Sequence, residues 1–192
     1  MLRLPRRLRA SRSLNSRITP ATGWKVIRTQ VRYSDADRWY RHYSRREFLV
    51  TDYMRSWEEL DWTPKPDTFH DIFGHLPFMM LGHYTALQEM FAPAYWKAPT
   101  DQQKEGIKKL AWFTTEFGLV LENGERKIFG TGLMSGGDEM DNVISGKVPV
   151  LPFRIDDVLK HEKAVDEQNQ VLFEFASIES LRSELQSYFA TL

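Results

Sequence analysis

The chain contains no cysteine. That excludes disulfides, thiolate metal sites and cysteine nucleophiles. It fits a reducing compartment, and the cytoplasm is the expected location. No apolar run approaches the roughly 20 residues of a membrane-spanning helix, so no membrane role is expected. Histidine is scarce: His42, His70, His75, His83 and His161 are the only five. Acid is missing from the front of the chain, where Met1–Ser34 holds nine Lys or Arg and no Asp or Glu. The remainder carries 17 basic and 26 acidic residues. Basic charge is therefore not interleaved through the folded part, and no nucleic-acid partner is expected.

What is present is a chain of 192 residues, 42% apolar and 13% aromatic. This is enough for one domain with a real core and too short for two comfortable ones. Residues 1–22 are rich in Arg and Ser and poor in aromatics, and such a stretch cannot bury enough apolar surface to fold alone. We expect a basic, disordered extension there and a single domain over 23–192. A mitochondrial transit peptide is the alternative reading of the Arg-rich start, although Pro5 and Pro20 interrupt any amphipathic helix.

Along the domain, the β-prone stretch around Val26–Val31 predicts a short strand. Ser44, with Glu47 at the capping-box position, predicts a helix to about Leu60, with Phe48, Tyr53, Met54 and Trp57 as its apolar positions. Thr63–Asp67 is a rigid, proline-set connection. A turn of helix is expected around His70–His75, and a second helix from about Leu81 to Phe91. Thr100 and Gln103 cap the clearest helix, in which Ile107, Leu110, Ala111 and Thr114 repeat at helical spacing. Asn123-Gly124 signals a hairpin. Met134–Asp138 reads as a flexible loop. Strands are expected at Val148–Phe153 and Gln170–Phe175, and helices at 156–168 and Ile178–Phe189.

The chemistry concentrates in three residues. Neutral imidazole ligates iron, zinc or copper. His70 and His75 are five apart, which in a regular helix leaves their rings about 140° from each other. They converge only if the helix distorts, which Gly74 and Pro77 make easy. Glu116 lies amid aromatic residues near the end of a predicted helix, where an unpaired acid is costly to bury. Two histidines and one carboxylate form a metal face that leaves positions open for oxygen and a cosubstrate. The ligand set alone admits zinc as well as iron.

Three blocks then occur in consistent order and spacing: Pro66-Asp67-x-x-His70-x-x-x-Gly74-His75-x-Pro77, Trp112-Phe113-Thr114-x-Glu116-Phe117-Gly118, and Gly130-x-Gly132-Leu133-x-Ser135. Together they resemble the pterin-dependent aromatic amino acid hydroxylases, over roughly Arg55 to Leu185. The resemblance implies a mainly α fold with a few short β-strands (α+β), like the catalytic domain of that family. It implies Fe(2+) held by His70, His75 and Glu116, with Asp67 orienting an imidazole from behind. It also implies Arg55 as the clamp on the substrate carboxylate, a task suited to a bidentate guanidinium. Thr63 and Ser135 would lie near the amino and carboxylate end, Trp112 would form a wall of the aromatic pocket, and Gly132 would allow close approach there. The implied reaction is hydroxylation of an aromatic amino acid, phenylalanine first, with O2 and a tetrahydropterin such as tetrahydrobiopterin.

The pterin side departs from the family pattern. The glycine-containing loop that contributes to the pterin pocket has no counterpart here. Trp39 falls at the count of the stacking phenylalanine, and Asp71 stands where the family carries a glutamate. The alternatives are a pterin-independent iron oxygenase acting on another aromatic substrate, or an inactive metal-binding relative. A monomer is the default expectation, since no C-terminal tetramerisation helix follows the last predicted helix.

Overall fold

Strands β1 (Lys25–Thr29) and β2 (Glu47–Thr51) pair in parallel, with Val26 opposite Phe48 and Arg28 opposite Val50. A parallel pair needs a crossover, which α2 (Ala36–Tyr43) supplies, capped by Asp35 accepting the Arg38 N–H. The computed structural model describes residues 7–163 and 165–192. The helix expected from Ser44 to Leu60 is thus a strand followed by a short 3-10 turn, Trp57–Glu59. Phe48, Leu49 and Val50 are all buried, as in a strand covered on both faces, whereas Tyr53, Met54 and Trp57 are exposed. The apparent helical repeat counted surface residues as core.

A second departure lies at the front. Helix α1 (Arg7–Thr22) occupies most of the expected disordered extension, and residues 1–6 lie outside the described residues. Ile18 is buried in the main core. Asn15 exchanges hydrogen bonds with the Val26 backbone at 2.7 and 3.2 Å, and the Thr22 hydroxyl donates to the Met79 carbonyl at 2.7 Å. The composition argument holds for a segment standing alone. Here β1 and the 3-10 turn Phe78–Met80 supply the partners.

The middle of the chain is helical: α3 (Gly82–Gln88), α4 (Phe91–Lys97) and α5 (Asp101–Ala111). The helix expected over Leu81–Phe91 is α3, which ends earlier, at Gln88, before α4 begins at Phe91. The Thr100 cap forms as read, accepting the Gln103 N–H. Strands β3 (Leu119–Glu122) and β4 (Glu125–Ile128) make the hairpin. Asn123 and Gly124 both take positive φ, 54° and 80°, which is the conformation a two-residue hairpin turn demands.

The expected loop at Met134–Asp138 is instead two helices, α6 (Thr131–Ser135) and α7 (Gly137–Ile144), broken at Gly136. After β5 (Val150–Pro152), α8 (Ile155–Lys160) ends earlier than the sequence suggests; β6 (Leu172–Phe175) and α9 (Ile178–Ala190) follow. The larger sheet runs β4-β3-β6-β5, antiparallel only at the hairpin. Its buried Phe173 and Phe175 meet Phe113, Phe129, Leu181 and Leu185 in the main core. Each such side chain contributes about 1.5–3 kcal/mol on burial. The expected mainly helical α+β arrangement stands. No helix among the described residues is long and apolar enough to cross a membrane.

Candidate metal centre

His70 and His75 stand at the two ends of one wide turn, closed by the Leu76 N–H on the Asp71 carbonyl five residues back, at 3.3 Å. This i→i+5 pattern is a π-turn. It brings residues five apart onto one face, which a regular helix would not. The two Nε2 atoms lie 3.0 Å apart. Glu116 ends a second π-turn, Trp112–Glu116, in which the Phe117 N–H reaches the Trp112 carbonyl at 2.8 Å. Its Oε1 is 3.4 Å from His75 Nε2 and its Oε2 is 3.6 Å from His70 Nε2.

These separations suit a shared cation. Two ligand atoms each about 2.1 Å from one ion stand about 3.0–3.4 Å apart at right-angled to tetrahedral geometry. Two of the three protonation states suit it as they stand, and His75 would shed to the metal the proton that Glu116 favours. Burial pushes His70 down to about 4, and His75 beside it acts in the same direction. Burial also opposes charge on His75, but the Glu116 carboxylate outweighs it and holds His75 above its ordinary value. Burial would raise Glu116, yet His75, His70 and the Thr131 hydroxyl pull it down to about 2. A neutral His70 and an ionised Glu116 are the forms a divalent metal requires.

The residues around the centre are tightly packed. Thr131 Oγ1 lies 3.1 Å from His75 Nε2 and 3.0 Å from Glu116 Oε2. A Cβ on Gly74 would stand 2.8 Å from the Thr131 carbonyl oxygen. Glycine there lets the histidine turn press against α6. His70 Nδ1 meets Ser135 Oγ at 2.7 Å, while His75 Nδ1 is buried without a hydrogen-bond partner among the described residues.

A cavity of about 570 Å³ opens beside the triad. It is lined by Trp39, Arg55, Thr63, His70, Asp71, His75, Trp112, Glu116, Gly132 and Ser135, which is every residue singled out in the sequence except Asp67. Asp67 is fully buried, and none of its hydrogen bonds among the described residues goes to an imidazole ring. It accepts the His70 backbone N–H at 2.9 Å, and the Arg55 backbone N–H, Nε and Nη2 at 2.9, 3.1 and 2.9 Å. The expectation that Asp67 orients a ring is thereby corrected: its two oxygens are used on Arg55 and the turn, and the ring contact falls to Ser135. Burial would raise Asp67, but the Arg55 guanidinium and the backbone donors hold it below the usual carboxylate range.

Arg55 Nη1 also donates to the carbonyls of Ser135 and Leu60, at 2.9 and 3.3 Å. Thr63 accepts from Arg32 at 2.8 Å and donates to the Lys65 carbonyl at 3.0 Å. Trp112 lies tilted on Phe117, ring centres 4.5 Å apart. A Cβ on Gly132 would stand 2.6 Å from the Phe117 ring, so the close approach this glycine permits is that of Phe117, behind Trp112. On the other side, Asp71 accepts the Thr51 N–H at 2.7 Å, and burial pushes its carboxyl up to about 7. Trp39 is held by Tyr43 and Phe48, with ring centres at 4.8 and 5.6 Å.

Sequence reasoning missed Thr131, Arg32, Glu139 and Asn169. Thr131 sits at the unread position of the Gly130-x-Gly132 block, a position that could have been found. The other three come from segments with no motif at all.

Phenylalanine-4-hydroxylase of Mesorhizobium japonicum is 31% identical over 176 residues, covering 91% of this chain and 64% of that protein. The Vibrio cholerae phenylalanine-4-hydroxylase is 30% identical over 183 residues, covering 94% and 63%. The chain thus spans just under two thirds of the length of these curated relatives. The phenylalanine hydroxylase of Chromobacterium violaceum, solved with bound iron(III) and the oxidised cofactor 7,8-dihydrobiopterin, matches with a TM-score of 0.85 at 25% identity, covering 94% of this chain and 66% of that one. A family model described as biopterin-dependent aromatic amino acid hydroxylase matches residues 8–192. Since that match runs from α1 through the metal centre to the last helix, the chain belongs to the biopterin-dependent aromatic amino acid hydroxylase family.

Proposed function

We propose that this chain is an iron(II)-dependent monooxygenase that hydroxylates an aromatic amino acid, phenylalanine first, using O2 and a tetrahydropterin. The observation that carries this reading is the convergence of His70, His75 and Glu116 on the wall of a cavity that Arg55 and Trp112 also line. His70, His75 and Glu116 would hold the iron. Iron and a reduced pterin, when bound, supply the oxygen chemistry.

The chain's own residues do the rest. Asp67 neutralises and orients the buried Arg55, and with Nη1 donating to the Ser135 and Leu60 carbonyls, one Nη2 N–H and the guanidinium charge are left at the cavity for a substrate carboxylate. Ser135 ties His70 to the same region through its hydroxyl, while its carbonyl accepts from Arg55. Trp112 supplies an apolar wall for the substrate ring. Asp71 and Trp39 form the flank we assign to the pterin. A rigid indole offers a stacking surface, and a buried carboxyl at about 7 can hold or release a proton at its free oxygen. The cavity volume falls within the range of small-molecule sites. We assign the chain to the cytoplasm, as a monomer without nucleic-acid partners, which light scattering and fractionation would check.

The test is mass-spectrometric detection of hydroxylated phenylalanine from iron(II)-loaded protein in air, with and without tetrahydropterin. Tyrosine and tryptophan are run in parallel. Product that requires pterin supports the proposal. Product without pterin points to another electron source, and no product from any of the three with iron bound overturns it.

A further inference from the structure

Two buried polar residues beside the cavity have no task in the reading above, Glu139 on α7 and Asn169 just before β6. The Asn169 backbone N–H and its Nδ2–H both donate to Glu139 Oε1, at 2.9 and 2.8 Å. Its Oδ1 accepts the indole N–H of Trp112 at 2.8 Å. The amide can sit only one way round. Turned over, it would face its own N–H groups to the indole donor and its oxygen to the Glu139 carboxylate. Glu139 thus fixes the Asn169 amide, and the amide fixes the indole.

We propose that Asn169 is a positioning residue that locks the Trp112 indole and so sets how closely the cavity fits the substrate's aromatic ring. This inference rests on the amino acid hydroxylase reading. Beside its apolar packing against both core clusters, two specific contacts bear on the Trp112 plane. Phe117 packs against the ring from behind, seated in the space left by Gly132, and Asn169 holds the indole nitrogen. The apolar contacts are non-directional, so they do not single out an orientation for the indole nitrogen. Rotation away from Asn169 would leave a buried amide oxygen unpaired, which carries the full desolvation penalty of that group. The hydrogen bond therefore selects one rotamer. A ring-shaped substrate then meets a wall already in place, which favours binding by sparing the cost of ordering it. The three residues come from segments distant in sequence, so the cavity wall is set by the packing of α7 and the β6 approach against the second π-turn.

The test is a double-mutant cycle with Asn169→Leu, which removes the acceptor at similar size, and Trp112→Phe, which removes the indole donor. The full chain is loaded with iron(II) and assayed with phenylalanine and tetrahydropterin, and phenylalanine affinity is measured by calorimetry. In protein labelled with 15N-tryptophan, exchange of the Trp112 indole N–H is followed by NMR. Asn169→Leu is expected to speed that exchange and to raise KM and Kd for phenylalanine about tenfold, the scale of one lost hydrogen bond. It should change kcat far less and leave iron binding intact. On the Trp112→Phe background the same change should add little. Unchanged KM and Kd in Asn169→Leu, or equal penalties with and without the indole, would overturn the proposal. If Asn169→Leu fails to fold by circular dichroism, Asn169→Ser takes its place in the cycle. A wild-type protein that binds phenylalanine but forms no product fails the hydroxylase reading alone, and the affinity cycle still decides the role of Asn169.

Discussion

His70 Nε2 and His75 Nε2 lie 3.0 Å apart across a single π-turn, with the Glu116 carboxylate facing both. Each of the three donors is fixed by backbone geometry rather than by a flexible loop. Replacing any one with alanine should abolish tight iron binding while leaving the fold in place. In wild-type protein, ferrous iron at about 100 times its Kd should add about 2.7 kcal/mol of stability. That increment should vanish in His70→Ala, His75→Ala and Glu116→Ala, as read by thermal melts with and without metal.

Arg55 and Asp67 form an ion pair with almost no exposure, their side chains 4% and 0% accessible. Asp67→Ala leaves a buried guanidinium and the His70 N–H without their acceptor, and should cost about 3–5 kcal/mol in urea denaturation at neutral pH. The pH dependence follows from the sign of the shift. Asp67 lies below its ordinary 3.8 in the folded chain, so it stabilises the fold above that value. This contribution is lost as pH falls through the folded-state value. Acid denaturation of the wild type should therefore be steeper below pH 4 than that of Asp67→Asn.

Gly74→Ala places a methyl 2.8 Å from the Thr131 carbonyl, a backbone atom that cannot swing aside. Helix α6 must move away from the histidine turn. We expect a loss of about 1–3 kcal/mol, the usual scale of overpacking. Iron affinity should weaken, because Thr131 also contacts His75 and Glu116. Metal titration of the variant checks this.

Burial holds Glu139 above its ordinary carboxylate value, against the pull of its Asn169 hydrogen bonds. A carboxyl raised on folding favours the fold below its unfolded value of 4.5, and that contribution fades as pH climbs through the folded-state value. Glu139→Gln keeps an acceptor for Asn169 and removes the titration. Its stability relative to wild type should rise between pH 4 and pH 7, measured by denaturant midpoints at both.

Much of the site was legible because its residues occur in short blocks. The three ligands, Arg55 and Trp112 could be named from the resemblance, and all line one cavity. The Thr100 cap and the Asn-Gly turn were legible because each is a local device whose chemistry is complete within four residues. The strand at Glu47–Thr51 was not. A run buried on both faces has no period of its own, and its pairing with β1 lies some twenty residues away. Helix α1 escaped for a related reason, since its partners are the Val26 backbone and the Met79 carbonyl, not its neighbours.

The sequence by itself determined the donor set: two imidazoles and a carboxylate, with no thiol to compete, and a histidine spacing that demands a departure from the α-helix. Only the tertiary structure decided how that departure is made and what each supporting residue touches. The π-turn forms where Gly74 lets the chain press against Thr131. Asp67 turns to Arg55 instead of an imidazole, and Trp112 takes its orientation from Asn169. Ligand identity is carried by side-chain chemistry, which each residue brings with it. Orientation depends on which buried donors and acceptors are left to be paired, and only packing distant segments together settles that.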